Sequence, residues 1–96
     1  MTRENVIQVL RSVTDESLLK YKAQIRGIFG SVARGDASED SDIDVLVDFT
    51  EKADLFDFVG LALFLEEKLQ RRVDVVPSDT IRGETSKTVM KDAIYI

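Results

Sequence analysis

Residues 27–49 read GIFGSVARGDASEDSDIDVLVDF, in which two apolar segments flank a polar one. Its apolar start belongs to a short strand predicted at Ile25–Phe29, which ends where Gly30 and Ser31 interrupt the pattern. Ser31 is suited to cap the N-terminus of a short helix, which Gly35 is expected to end. After a polar turn, the run Asp42–Phe49 has the β-branched and aromatic composition of a central strand. The stretch therefore predicts a strand, a short helix, a turn and a second strand in succession.

Helical and extended patterns continue on both sides of this stretch. They predict a helix after Thr2, a turn or helix at Asp15–Lys20, a helix at Leu55–Leu69, a strand at Arg72–Val76 that Pro77 ends, and a helix from about Thr85 toward Ile94. This order predicts an α/β (α+β) fold with a three- to four-stranded mixed sheet backed by helices. At 96 residues, the chain is expected to form one small domain over residues 1–96.

The predicted helix at Leu55–Leu69 is apolar nearly all round. Nine of the eleven residues from Leu55 to Leu65 are hydrophobic. A helix with apolar residues on every side does not rest on one sheet face alone. Either it is sandwiched within the fold or its outer side meets another chain, a partner or a second copy, and the sequence leaves both alternatives open.

Composition excludes several kinds of chemistry. The sequence has no Cys and no His, which removes disulfides, thiolate nucleophiles, His general bases and Cys or His metal ligands. A bound metal ion would therefore need oxygen ligands, as Mg²⁺, Mn²⁺ and Ca²⁺ do. The net charge of −5 disfavours stable binding to nucleic acid or to anionic membranes. Without a membrane-spanning run or a signal-peptide core, the protein is expected to be soluble and cytoplasmic.

Three aspartates are candidates for a metal site. Asp42 and Asp44 are two positions apart in a predicted strand, so both project from one face. Asp74 repeats the pattern in the next strand, and would join them if the two strands are neighbours. Three oxygen ligands without His or Cys suit Mg²⁺, and such a group could hold two ions that activate an attacking oxygen and clamp phosphates.

A phosphate-binding element is predicted next to these carboxylates. Gly30 allows the backbone to approach a ligand closely, and a helix that begins at Ser31 offers free N–H groups. Arg34, one turn further on, could contact a phosphate or pair with the carboxylates, and an ordinary structural salt bridge explains it equally well.

The motif Gly30-Ser31, ten residues, then Asp42-Ile43-Asp44 resembles the signature of the DNA-polymerase-β-like nucleotidyltransferases. The stretch at 27–49 is similar to the minimal nucleotidyltransferase subgroup in particular. The resemblance implies that Asp42 and Asp44 bind two Mg²⁺ ions and that Asp74 completes the set and orients the attacking hydroxyl. It implies that Gly30 and Ser31 hold the triphosphate of ATP, whose α-phosphorus is attacked with release of pyrophosphate. Arg34 is the least specific part of the correspondence.

The same resemblance implies a partner protein. Minimal nucleotidyltransferases resemble the antitoxin half of two-component systems in which an all-helical HEPN toxin, an RNase, is silenced by transfer of AMP to a tyrosine. Three alternatives stay open: a binding module that neutralises its partner by occupancy, an enzyme that modifies a small molecule or an RNA end, and a structural protein stabilised by a divalent cation.

Overall fold

Helices and strands alternate through residues 2–36, 38, 40–80 and 91–96, which the computed structural model describes. In chain order the elements are α1 (Arg3–Ser12), α2 (Thr14–Tyr21), β1 (Ala23–Phe29), α3 (Gly30–Arg34), β2 (Ile43–Phe49), α4 (Leu55–Leu69), β3 (Val73–Pro77), a 3₁₀ turn (Ser78–Thr80) and β4 (Ile94–Tyr95). The predicted cap of the first helix is present, because the side chain of Thr2 accepts a hydrogen bond from the N–H of Asn5 at 3.1 Å.

The four strands form one sheet in the order β3-β2-β1-β4. β1 pairs antiparallel with both β2 and β4, whereas β2 and β3 pair in parallel. Parallel neighbours need a crossover connection, and α4 provides it. The prediction of an α+β fold with a mixed sheet backed by helices is confirmed.

One face of the sheet carries the core and thereby sets the orientation of β2. Ile43, Val45 and Val47 are completely buried. The helix residues in the same core cluster are Val6 and Leu10 of α1, Val32 and Ala33 of α3, and Leu61, Phe64, Leu65 and Leu69 of α4. Because side chains alternate along a strand, a register slip of one residue would move the apolar set out of the core. The core therefore fixes Asp44 on the opposite face.

The outer side of α4 is exposed in this chain. Leu55, Phe56, Val59 and Leu63 retain 73%, 86%, 47% and 62% of their accessible surface. Of the two alternatives for this helix, complete burial within the fold is therefore excluded. No helix among the described residues is both long enough and apolar enough to cross a membrane.

The C-terminal segment differs from its prediction. Residues 85–90 of the predicted helix lie outside the described residues, residues 91 and 92 are helical as predicted, and Ile94–Tyr95 form a strand that pairs with Gly27 and Ile28 of β1. The close approach depends on Gly27, because a Cβ there would lie 2.9 Å from the carbonyl carbon of Ile94. A two-residue strand is too short to show a periodicity, which is why the helical prediction was wrong at this end.

The N-terminus of α4 is fixed by two carboxylates and one cation. Asp54 caps the helix, and the N–H of each of Asp54 and Asp57 donates to the other's carboxylate at 3.0 Å. Asp57 is buried, and its Oδ2 lies 3.1 Å from the Nζ of Lys22. The N–H of Asp54 and the charge of Lys22 together lower the pKa of Asp57. This aspartate is thus a structural group that joins α4 to the end of α2.

We expect Asp57→Asn to destabilise the protein at neutral pH but not in acid. A carboxyl whose pKa is lowered by folding contributes stability above its unfolded pKa, about 3.9, and loses it as the pH falls through the folded value. The free energy of unfolding, measured by circular dichroism between pH 2 and 7, should therefore differ between wild type and variant at pH 7 and converge at the acid end. Asp15→Asn, at an exposed site on α2, is the control; an equal effect there would contradict this role of Asp57.

Candidate active site

Two of the three predicted site carboxylates lie side by side on neighbouring strands. Asp44 of β2 is directly opposite Asp74 of β3 in the parallel register. Both lie on the sheet face opposite to the one that buries Ile43 and Val45. Asp44 is half-buried, whereas Asp74 is exposed to solvent. The neighbouring strands that the sequence analysis required for this pair are therefore present.

The third carboxylate, Asp42, lies one residue before β2 and is turned toward an arginine. Its Oδ1 is 3.3 Å from the Nε of Arg72, and the two side chains are 50% and 79% exposed. Ion pairs this exposed contribute about 0–1 kcal/mol, so Asp42 is free to reorient. Within the described part of the chain, no three carboxylates have the mutual geometry of a formed metal site.

The electrostatics of Asp44 reflect its surroundings. Burial raises the pKa of this carboxyl, and the negative charges of Asp74 and Asp42 raise it further, while the guanidinium of Arg34 opposes them. A cation held between these oxygens would relieve the repulsion. The donor set consists of oxygen atoms alone, which is the ligand chemistry that Mg²⁺ prefers. The residues present therefore fit a magnesium ion.

Gly30 lies directly against the carboxylate of Asp44. Its φ of +76° is in the left-handed region that favours glycine. A Cβ at this position would overlap Asp44 Oδ2 and would lie 3.3 Å from its Cγ. The carboxylate of Asp44 thus occupies the space that a side chain at position 30 would need.

Ser31 does not cap α3 as the sequence predicted. The helix begins one residue earlier, so Phe29 is the N-cap and makes no side-chain cap bond. The extended Phe29 is the last residue of β1, and α3 begins at the next residue, Gly30. Ser31 therefore lies within the first turn, where N–H groups lack intrahelical acceptors. The other end agrees with expectation, because Gly35 ends the helix with φ +84°.

Arg34 makes two ion pairs of its own near the carboxylates. Its Nε lies 3.2 Å from Asp36 Oδ2 and its Nη1 lies 3.8 Å from Asp92 Oδ2. Its charge also opposes the rise in the pKa of Asp44 that burial and the neighbouring carboxylates cause. Both alternatives for this residue thus have a structural basis, since it forms ordinary salt bridges and also lies within electrostatic reach of the site.

Two further arginines border the site and were missed in the sequence analysis. Arg71 donates hydrogen bonds to the carbonyl oxygens of Ser38 and Ser41, and Arg72 pairs with Asp42. The signal was present in the sequence as two consecutive arginines just before the strand that carries Asp74. Their contact with the loop before Asp42 becomes evident when β3 is placed next to β2.

Comparison with known proteins identifies relatives over the length of the chain. The nucleotidyltransferase domain family matches residues 8–96. Protein adenylyltransferase MntA of Thermococcus cleftensis is 36% identical over 96 residues, which cover 100% of this chain and 97% of the relative. A solved structure described provisionally as a minimal nucleotidyltransferase has a TM-score of 0.81, with 36% identity and coverage of 100% and 97%. A toxin-antitoxin crystal structure with AMP-PNP has a TM-score of 0.68 at 24% identity, with coverage of 99% of this chain and 72% of that one.

Proposed function

The chain belongs to the nucleotidyltransferase domain family, and from this membership we propose that it transfers AMP from ATP to a hydroxyl group of a partner protein. It is a nucleotidyltransferase, and a relative that matches its whole length is named a protein adenylyltransferase. The observation that carries the proposal is the register that places Asp44 beside Asp74 with the backbone of Gly30 against them.

In this proposal Asp42, Asp44 and Asp74 hold a pair of Mg²⁺ ions. Bound there, the ions would neutralise charge on the triphosphate and on the departing pyrophosphate. The raised pKa of Asp44 and the oxygen-only donor set support this assignment. The weak pairing of Asp42 with Arg72 supports it too, because the carboxylate can turn away from the arginine at little cost.

The remaining site residues bind the nucleotide and guide the acceptor. Backbone N–H groups of Gly30 and Ser31, at the first turn of α3, would donate hydrogen bonds to phosphate oxygens, with Arg34 as an additional positive charge. The acceptor hydroxyl oxygen then bonds to the α-phosphorus, and the bond from that phosphorus to the bridging oxygen of the β-phosphate breaks. Asp74 is exposed, so it can orient the incoming hydroxyl and accept its proton.

The partner we propose is an all-helical toxin of the HEPN type, modified on a tyrosine, so that this chain acts as an antitoxin. Two structural neighbours are toxin-antitoxin proteins, one with AMP-PNP and the other an MntA-HpeT pair. The proposed docking surface is the exposed face of α4, defined here as Leu55, Phe56, Val59 and Leu63. Contiguous apolar surface of this kind marks an interaction site.

We expect Phe56→Ser to weaken the complex with the helical partner by roughly 30-fold. A large aromatic side chain at the centre of an interface typically contributes about 2 kcal/mol or more, and Phe56 is the most exposed residue of this face at 86%. The dissociation constant is measured by isothermal titration calorimetry.

Leu19→Ser is the matched control for this variant. Leu19 is 83% exposed but lies on α2, outside the proposed docking surface. Neither substitution should change the melting temperature much, because neither residue is in the core. Equal weakening by both variants, or by neither, would exclude the exposed face of α4 as the docking surface.

The function itself is tested with ATP labelled on the α-phosphate. The chain is incubated with Mg²⁺, the labelled ATP and a helical protein of the proposed HEPN type, and the label on each separated protein is counted. Label on the partner, together with no transfer from γ-labelled ATP, would support adenylyl transfer. If the partner is inhibited in a tight complex that carries no label, the protein acts by occupancy instead. Label that enters RNA or a small molecule would favour the other enzyme alternative.

A further inference from the structure

The guanidinium of Arg71 joins the approach to β3 with the turn that precedes Asp42. Its Nη2 donates hydrogen bonds to the carbonyl oxygens of Ser38, at 3.1 Å, and of Ser41. These serines are also hydrogen-bonded to each other. The N–H of Ser41 donates to Ser38 O at 3.1 Å, and the N–H of Ser38 donates to Ser41 Oγ at 3.0 Å. Ser38 and Ser41, called the serine turn below, thus form one unit that Arg71 holds.

A second set of contacts fixes the chain just after the serine turn. The N–H of Ile43 donates to the carbonyl oxygen of Arg72 at 2.9 Å, and the Arg72 side chain pairs with Asp42. Asp42 therefore lies between two hydrogen-bonded residues. Arg71 bonds the carbonyl oxygen of Ser41 before it, and the carbonyl oxygen of Arg72 accepts from the N–H of Ile43 after it. The backbone around this carboxylate is anchored to the strand that carries Asp74.

The buried position of the Arg71 side chain lowers stability in one respect, so a contribution to stability alone does not explain why an arginine is found there. Its Nε is buried and, among the residues that the structure describes, has no hydrogen-bond acceptor. A buried donor without an acceptor reduces the free energy of unfolding. A shorter apolar or polar residue would avoid this penalty but would leave the two serine carbonyls without their donor.

We propose that Arg71 is a positioning residue that sets where Asp42 presents its carboxylate to a divalent cation. The inference rests on the metal-binding role proposed above for Asp42. Arg71 acts through the serine turn, because the carbonyl it bonds in Ser41 belongs to the peptide that leads directly into Asp42. Its planar guanidinium aims two N–H groups of one nitrogen at fixed directions, which the rotating ammonium of a lysine does not reproduce.

The test is Mn²⁺ binding to the protein without ATP, measured from the electron paramagnetic resonance signal of the free ion. Removing an outer-shell partner of a metal ligand typically costs 10–100-fold in affinity, so Arg71→Ala should bind Mn²⁺ about tenfold more weakly or worse. The Mn²⁺ affinity of Arg71→Lys should lie between those of the alanine variant and wild type. If Arg71→Ala does not fold, Arg71→Lys replaces it in the comparison with wild type. Arg11→Ala, at an exposed position on α1, should match wild type.

A double-mutant cycle separates positioning from general damage. If Arg71 acts through Asp42, then Arg71→Ala should cause no further loss of Mn²⁺ affinity in an Asp42→Asn background. An equal loss in both backgrounds, or wild-type affinity in Arg71→Ala, would overturn the inference. Amide hydrogen exchange of Ile43 in metal-free protein, expected to be faster in Arg71→Ala, tests the attachment without metal. A wild type that binds no Mn²⁺ would overturn the proposed metal role itself, and the exchange rates would still decide whether the attachment exists.

Discussion

Replacing Asp44 with Asn is expected to reduce nucleotide transfer by at least about a thousandfold, which corresponds to roughly 4 kcal/mol of activation free energy. Metal ions that neutralise transferring phosphates contribute several kcal/mol of this kind, and Asp44 is both the register partner of Asp74 and the carboxylate that lies against Gly30. Asn keeps the shape of the side chain but lacks the charge that holds a cation.

The same substitution is expected to raise the melting temperature of the metal-free protein at pH 7. Burial and neighbouring negative charge raise the pKa of Asp44 in the folded state. A carboxyl with a raised pKa contributes stability when protonated and loses it as the pH rises through the folded value, so ionised Asp44 destabilises the fold at neutral pH. Neutral Asn removes that penalty.

Transfer of α-labelled AMP and thermal unfolding, each with and without Mg²⁺, measure both effects. Asp48→Asn is the control, since Asp48 lies four residues further along β2 on the same face but contacts Arg26 and Ser78 instead. It should retain transfer. Transfer by Asp44→Asn at even a tenth of the wild-type rate would be incompatible with the proposed metal site.

Gly30→Ala is expected to lower transfer by about a hundredfold. The new Cβ would overlap Asp44 Oδ2, so the carboxylate or the turn must move, and a displacement of about 1 Å in a catalytic arrangement costs on the order of 100-fold in rate. The left-handed φ of +76° adds strain of about 1–2 kcal/mol, which lowers the melting temperature as well.

Gly35→Ala separates these two effects. Gly35 also has a left-handed φ, +84°, but among the described residues a Cβ there would meet only Arg3 Nη1 at 3.9 Å, an ordinary van der Waals distance. The two variants should therefore lose similar stability, whereas only Gly30→Ala should lose transfer. Comparable rates in both variants would show that the contact between Gly30 and Asp44 has no part in the reaction.

The sequence predicted the elements that have strong local signals. β2 and α4 have long apolar patterns, and Thr2 and Gly35 mark helix ends by chemistry that depends on a few neighbouring residues. β4 could not be predicted in this way, because its two residues are strand by virtue of pairing with Gly27, far away in the chain. Local patterns do not contain that information.

The candidate site, like the fold, could be predicted where local patterns were sufficient and not where it depends on long-range contacts. Alternation along β2 placed Asp44 on the face opposite the core, and its meeting with Asp74 required only that β3 be the neighbouring strand. Long-range contacts account for what the sequence did not reveal. The hydrogen bonds from Arg71 to the serine turn and the ion pair of Arg72 with Asp42 depend on tertiary placement, and the start of α3 at Gly30 depends on how β1 ends.

The crossover between β2 and β3 also determines when in folding the site comes into existence. Asp44 and Asp74 lie on opposite sides of α4 in the chain, so their strands can pair only after the whole crossover has been closed. Closing such a connection reduces the entropy of the chain before the stabilising contacts between the strands form. The β1–β2 pair and the individual helices form from residues that are nearer in the chain. A partly folded chain can thus contain most of the secondary structure without the paired carboxylates, and the site is complete only once β2 and β3 have paired across α4.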